Sequence, residues 1–211
     1  MKKCIIILVL LLNSISILAQ ETKDASDDRQ GNKAISFGFD QFSASEYFLG
    51  IGGRYWAKND LVYFGSIDYS LSNSKDEGSE GYTSSSFKEN SIQFSVGFEH
   101  HLPFKKNKDV SPFIGGDFFI SKSEYSINYS VPDKSPPEKS KRIDDTKGFS
   151  IFFGVEYFIN ESISFSLHYA LKYSNSKYTY TDVYNGTTDN QSGESNSTYF
   201  AVSPLILSVY F

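Results

Sequence analysis

Residues 162–174 read SISFSLHYALKYS. Ile163, Phe165, Leu167, Tyr169, Leu171 and Tyr173 fall on one side of an extended chain, and Ser164, Ser166, His168, Ala170, Lys172 and Ser174 fall on the other. Successive side chains of a strand point to opposite faces, so this period of two predicts a half-buried strand. A helix would scatter the same six apolar residues around its axis. The alternation recurs from Ala34 onward and predicts about eight strands, at 33–42, 47–57, 61–72, 87–101, 112–128, 147–159, 162–181 and 196–211. No helical period follows the first twenty residues. The chain holds 19 Phe and 15 Tyr but a single Met and a single Trp, a bias toward strand-forming side chains.

The links between these segments alternate in length. KND (58–60), PFKKNKDVS (103–111) and NES (160–162) are short or moderate; NSKDEGSEGYTSSS (73–86), YSVPDKSPPEKSKRIDDT (129–146) and DVYNGTTDNQSGESNS (182–197) are long and polar. Only SASE (43–46) breaks the rule. With antiparallel neighbours, all the short links lie at one end, the arrangement of transmembrane barrels. The fold class predicted is all-β, an eight-stranded antiparallel up-and-down transmembrane β-barrel over residues 33–211. The 129–146 link, with Pro136 and Pro137, is expected to be mobile.

The ends fit that reading. Residues 1–19 place Lys2 and Lys3 before the apolar run Ile5–Leu12 and finish at Ala19, the order of an export signal. Cys4 lies within it, so the mature chain has no thiol. Residues 20–32 are polar and aperiodic, a flexible leader on the short-turn side. Losing Lys2 and Lys3 from 20 Lys and Arg against 25 Asp and Glu leaves a mature net charge of −7, which argues against a nucleic-acid partner.

One face of the strands is large and apolar, with Ile35, Phe37, Leu49, Ile51, Ile67, Phe94, Val96, Phe118, Ile151 and Phe153 among its members. It is assigned to lipid. The other face carries Asp40, Arg54, Asp68, Gln93, Glu99, Asp117, Glu156, His168 and Lys172, with Gly, Ser and the bulky Phe48, Phe64, Phe152 and Phe158 between them. An eight-stranded barrel has an interior just wide enough for side chains to fill, and ionised groups there must be paired. A lumenal network is therefore expected, with Arg54 and Lys172 among Asp40, Asp68, Asp117 and Glu156. A polar plug is the favoured role, ahead of a proton or ion path. A soluble barrel with the apolar face inward explains neither the link asymmetry nor the aromatic C-terminus. Aromatic girdles are expected at Tyr55, Trp56, Tyr157, Phe158, Tyr210 and Phe211 by the short turns, and at Tyr47, Tyr125, Tyr129, Tyr173 and Tyr199 toward the long links.

The export signal, the eight alternating segments and the ending LILSVYF resemble the small outer-membrane β-barrel proteins of Gram-negative bacteria, the OmpA/OmpX-type and porin-like group. The resemblance covers about residues 33–211. It implies a protein of the outer membrane, surrounded by its lipid and inserted by the outer-membrane assembly machinery. In that family the machinery reads a terminal aromatic with apolar residues at alternate positions before it. Phe211, Val209, Leu207 and Leu205 fit; Ser203 departs from the pattern. Pro204 cannot donate to a ladder, which predicts a local break or bulge in the last strand.

Catalytic motifs are sparse. His100 and His101 alternate to opposite faces beside Pro103, with no third ligand evident, so no metal site is expected. Ser164, Ser166, His168 and Glu156 invite comparison with the lipid A-modifying enzymes among such barrels. The His-x-Ser-Asn run of the deacylase type is replaced here by HYAL. GIGG (50–53) lacks the helix of a phosphate loop and reads as a strand that can bend. No cofactor is expected, and the chain is expected to be a non-enzymatic monomer. The long fifth and seventh strands predict a sheet that projects above the membrane, with an edge able to bind a surface ligand or extracellular protein by strand addition. A narrow pore is the second reading, a lipid-modifying enzyme the third.

Overall fold

The computed structural model describes residues 29–40, 46–76, 84–102, 109–130, 138–184, 187–203 and 205–211. The expected export signal, most of the expected leader, the Pro136–Pro137 stretch, Pro204 and the side chains of Asp40, Tyr47, Phe48 and Tyr129 lie outside the described residues. The strands are β1 (Lys33–Asp40), β2 (Glu46–Lys58), β3 (Leu61–Asp76), β4 (Ser84–His101), β5 (Val110–Ser130), β6 (Glu138–Asn160), β7 (Ile163–Tyr184), β8 (Thr187–Val202) and β9 (Leu205–Tyr210).

Each strand from β1 to β7 pairs antiparallel with the next, and β9 pairs with both β7 and β1. The result is a closed ring of eight. Leu207 illustrates the closure, standing opposite Phe165 on one side and Phe37 on the other. Closure matters in lipid, where an open backbone edge finds no water.

The eighth segment comes in two pieces. Ser166 pairs with Ile206, but Tyr169 pairs with Val202, so three steps along β7 match four along its partner. One extra residue sits between Val202 and Ile206, the two-against-one count of a β-bulge. Ser203 is the last residue to keep the β8 register, opposite His168: its N–H donates to His168 O at 2.8 Å, and its Oγ accepts from His168 N–H at 2.9 Å. Beyond this point β8 pairs with β7 alone among the described strands.

The strands are longer than alternation indicates. β5, β6 and β7 run 21, 23 and 22 residues, about twice what a tilted spanning strand needs. The strands run on into all three polar links: β5 and β6 pair up to Tyr129↔Glu138, β7 and β8 up to Tyr184↔Thr187, and β3 and β4 up to Asp76↔Ser85. The expectation of a loop over 129–146 is corrected for 138–146, which belong to β6, while 131–137 lie outside the described residues. Above the membrane both faces meet water, so neither has to be apolar. Pairing then persists without the alternation that reveals it.

Within the membrane the faces separate as the alternation indicates. Phe118, Ile120, Ile151 and Phe153 point outward and are 58–72 % exposed. Inward, phenylalanine rings pack over glycines on adjacent strands. A Cβ added at Gly97 would lie 2.6 Å from the Phe64 ring, and one at Gly115 would lie 2.5 Å from Phe152. Large and small residues thus interlock across the lumen, as in any well-packed interior.

Candidate functional site

Buried side chains crowd the lumen near its short-turn end. Trp56, Val62, Phe158, Tyr210 and Ala34 form a buried apolar cluster there. β2 alternates Arg54 and Trp56 inward, so the guanidinium lies one step above the indole. Arg54 donates through Nη1 to Glu156 at 2.6 Å and through Nη2 to Glu156 at 3.0 Å. Nη2 also bonds Glu99. Tyr210 Oη donates to Glu156 at 2.6 Å, and Ser164 Oγ donates to the same carboxylate. Four strands, β2, β4, β6 and β9, thus meet through one cation and two anions, while β7 adds Ser164. Glu156 has no exposed surface. Each of these ions would cost several kcal/mol if buried alone.

His101 extends the layer. Its Nδ1 lies 2.8 Å from Ser111 Oγ and its Nε2 lies 3.2 Å from Glu99. The ring is held between Trp56, with centroids 4.5 Å apart, and Phe113, at 5.1 Å. Ser111, His101 and Glu99 have the order of a nucleophile, a base and its orienting acid. Ser111 is nearly closed off, however, and Glu99 is already committed to Arg54. Glu99, His101 and Glu156 also bring ligand atoms within 4.8 Å of one another. The sequence reading finds no third ligand near His101, and the fold supplies two. Arg54 already provides the positive charge between those carboxylates. His100 faces away, 3.6 Å from Asp60 at the surface.

A second polar tier lies above. Gln93 Nε2 is 3.5 Å from Asp68, Ser66 Oγ donates to Asp68 at 3.2 Å, and Ser150 bonds Asp117. Lys172 Nζ lies 5.6 Å from the Phe119 ring centroid, and among the described residues no carboxylate approaches it within ion-pair distance. His168 packs against Phe152 with ring centroids 4.6 Å apart and planes tilted by 30°, and its Nδ1 has no hydrogen-bond partner among the described residues. A cavity of about 300 Å³ borders these groups, with Ser36, Gly38, Gly50 and Gly52 on its far wall. Arg54 and Glu156 therefore come together with Glu99; Asp68, Gln93, Asp117 and Lys172 form a separate tier; the Asp40 side chain lies outside the described residues.

Two expectations about aromatics change. Trp56, Phe158 and Tyr210 point into the lumen and are buried, whereas Tyr55, Tyr157 and Phe211 point outward and are 45–74 % exposed. Adjacent residues of a strand cannot both face lipid, so each neighbouring pair splits. Tyr125 likewise shares the inward register of Asp117 and Phe119, while Tyr173 faces out. Ser164 and Ser166 are buried inward, away from lipid. The last four leader residues sit at the short-turn mouth: Gly31, with φ of 91°, donates its N–H to Trp56 O at 2.8 Å, and Arg29 lies 3.8 Å from the Phe158 ring centroid. Leu205, Leu207, Val209 and Phe211 all take the outward register of β9, and the Phe211 N–H donates to Lys33 O at 2.9 Å.

Above the membrane, Arg142 donates to Asp144 at 2.8 Å, and this bond raises the guanidinium pKa above its ordinary value. The Lys177–Glu194 bond raises the lysine and lowers the glutamate.

Solved structures include similar chains. A major outer membrane protein from Thermus thermophilus is 12 % identical, with a TM-score of 0.52 over 86 % of this chain and 99 % of its own. Ail, the attachment invasion locus protein of Yersinia pestis, is 14 % identical at a TM-score of 0.38, covering 86 % and 99 %. Neisserial surface protein A is 17 % identical at 0.38, covering 86 % and 95 %. At such identities the likeness speaks to fold alone. Comparison with curated protein sequences gives no match. The family model described as outer membrane protein beta-barrel domain matches residues 5–202, nearly the whole chain, and the closed ring with its lipid-facing band agrees with it: this is a member of that outer-membrane β-barrel family.

Proposed function

We propose that the chain is a non-catalytic outer-membrane barrel, sealed at its base, whose role is to dock another chain at the cell surface. The observation that carries this reading is the free edge of β8. Sixteen residues, Thr187–Val202, pair with β7 on one side and with no described strand on the other. Natural edges are guarded by proline, lysine or bulges. TTDNQSGESNSTYFAV holds neither Pro nor Lys, and of its two acids Glu194 is paired with Lys177 of β7. Because Ser203 N–H bonds to β7, alternation turns the N–H groups of Ser192, Glu194, Asn196 and Thr198 toward the open side. Such a row accepts an added strand.

Proline tests this selectively. Asn196→Pro removes an outward N–H and spares the backbone ladder to β7, losing beside it only the exposed side-chain bonds from Tyr173 and Asn175; Ser195→Pro strikes the ladder itself. Surface binding of cells or matrix should fall with Asn196→Pro while the folded, heat-modifiable species persists. Unchanged binding would sink the docking reading. The narrow-pore alternative predicts steady conductance in planar bilayers, which the Arg54–Glu99–Glu156 layer argues against. Insertion through Phe211, Val209, Leu207 and Leu205 by the assembly machinery, and a monomeric state, belong to the same proposal.

A further inference from the structure

The outward surface of β4–β7 changes character at the upper border of the lipid band. One cross-strand row reads Phe94↔Ile120↔Lys147↔Asn175, and the next row up reads Ile92↔Lys122↔Asp145↔Lys177. Three lysines from three adjacent strands therefore converge where the apolar surface ends. They overlook a groove of about 350 Å³ floored by Ile92, Phe94 and Ile120. A second groove of about 490 Å³ continues downward past Val96, Phe118 and Phe149 and shares Lys147.

The charges there are not used up. Lys122 reaches Asp145 only at 4.0 Å, with both side chains more than 60 % exposed. Lys177 holds Glu194 at 2.9 Å in an equally exposed pair. Lys147 makes no ion pair among the described residues, although it is a step deeper and flanked by Phe149 and Tyr173. Exposed pairs of this kind are worth little and exchange readily. A lysine at hydrocarbon depth extends its stem along apolar surface and delivers its ammonium to the headgroup layer.

We propose that this groove holds one anionic lipid of the outer leaflet, with a phosphate head on Lys122, Lys147 and Lys177 and an acyl chain along Ile120, Phe94, Val96 and Phe118. Depth selects the occupant. The groove opens sideways onto the bilayer and is continuous with the lipid-facing band, so a lipid reaches it without leaving the membrane. Charge selects the head: three ammonium groups face two acids, both on the row above Lys147. The long-link end faces outward in this architecture, which fixes the leaflet.

The test uses the full mature barrel in phosphatidylcholine nanodiscs with a minor fraction of phosphatidic acid, and native mass spectrometry of the lipid retained after transfer to detergent. One phosphatidic acid should be retained over phosphatidylcholine by on the order of tenfold, given the attraction of clustered lysines for anionic headgroups. The Lys122→Gln/Lys147→Gln/Lys177→Gln variant should bring that ratio to about one. A Lys75→Gln/Lys88→Gln/Lys139→Gln variant, altered higher on the projecting sheet, should keep the preference. Heat-modifiable migration identifies folded protein in every case. No preference in the wild type, or equal loss in both variants, overturns the assignment. Displacement by glycerol 3-phosphate at matched concentration also overturns it, because a headgroup without chains has no use for the groove.

Discussion

Replacing Arg54 by Met should be the most damaging single change in the lumen that leaves the outer surface untouched. Methionine keeps the length and removes the charge. Glu99 and Glu156 would then face each other through a site that is almost wholly buried, with only His101, Tyr210 and Ser164 left to donate. Removing one partner of a buried ion pair costs about 3–5 kcal/mol, because the other is left uncompensated. Here two anions are stranded, so the loss should reach the upper part of that range. Glu156→Gln strands less, since Arg54 retains Glu99, and about 3 kcal/mol is expected. Replacing all three ions together by well-packed apolar residues should recover most of the loss, as such replacements are often neutral or stabilising. The assay is urea unfolding of the barrel in lipid vesicles, followed by the heat-modifiable band. Lys141→Gln, which breaks an exposed pair with Glu124, is the control and should cost under about 1 kcal/mol. If Arg54→Met unfolds within about 1 kcal/mol of the wild type, the layer is not a buried ion cluster and the lumen is wetter than its geometry states.

Three further outcomes follow from the same structure. Phe118→Arg places a charge on the lipid face and should cost about 2–4 kcal/mol, while Ser121→Arg, which points into the lumen above the second tier, should cost less; unfolding in vesicles compares them. Gly115→Ala forces a methyl to within 2.5 Å of the Phe152 ring and should lose about 1–3 kcal/mol, whereas Gly53→Ala, whose Cβ would meet nothing nearer than 4.0 Å, should be close to neutral. Deleting Phe211 removes the backbone pair with Lys33 and the terminal outward aromatic, so the yield of membrane-inserted barrel should fall several-fold in cell fractionation, with refolding from urea less affected.

What was legible in the sequence is what alternation can encode. Residues 162–174 need one face for lipid and one for the lumen, and both demands are written in side-chain type. The same holds for the assignment of Arg54, Asp68, Asp117 and Glu156 to the interior. Three features were not legible. The upper parts of β6 and β8, Glu138–Thr146 and Thr187–Ser195, have water on both faces, so their polar stretches look like loops, although the projection itself was legible in β5 and β7. Which ions pair depends on register across strands: Arg54 meets Glu156, 102 positions away, only because β2, β4, β6 and β9 bring their inward rows to one level. His101 and Ser111 flank a short turn, where the alternating signal is weakest; a buried histidine beside a glutamate two residues earlier is the one local hint, since i and i+2 share a face.

The bulge after Ser203 links barrel closure to projection. Had the eighth segment continued in a single register, β8 would run beside β1, which ends at Asp40, and its even-numbered residues would face inward as Ile206, Ser208 and Tyr210 do in β9. The extra residue reverses the parity. Phe200 and Val202 turn outward, in the rows of Leu171 and Tyr169, while Tyr199 and Ala201 take the inward rows of Lys172 and Ala170. The apolar band is thereby kept intact as the strand leaves β1. A regular strand could close the ring or follow β7 upward with its apolar residues outside, but its spacing of LILSVYF and STYFAV would not allow both. One inserted residue lets β9 complete the wall and frees β8 to rise with β7, so the edge offered at the surface is a consequence of how the barrel closes below.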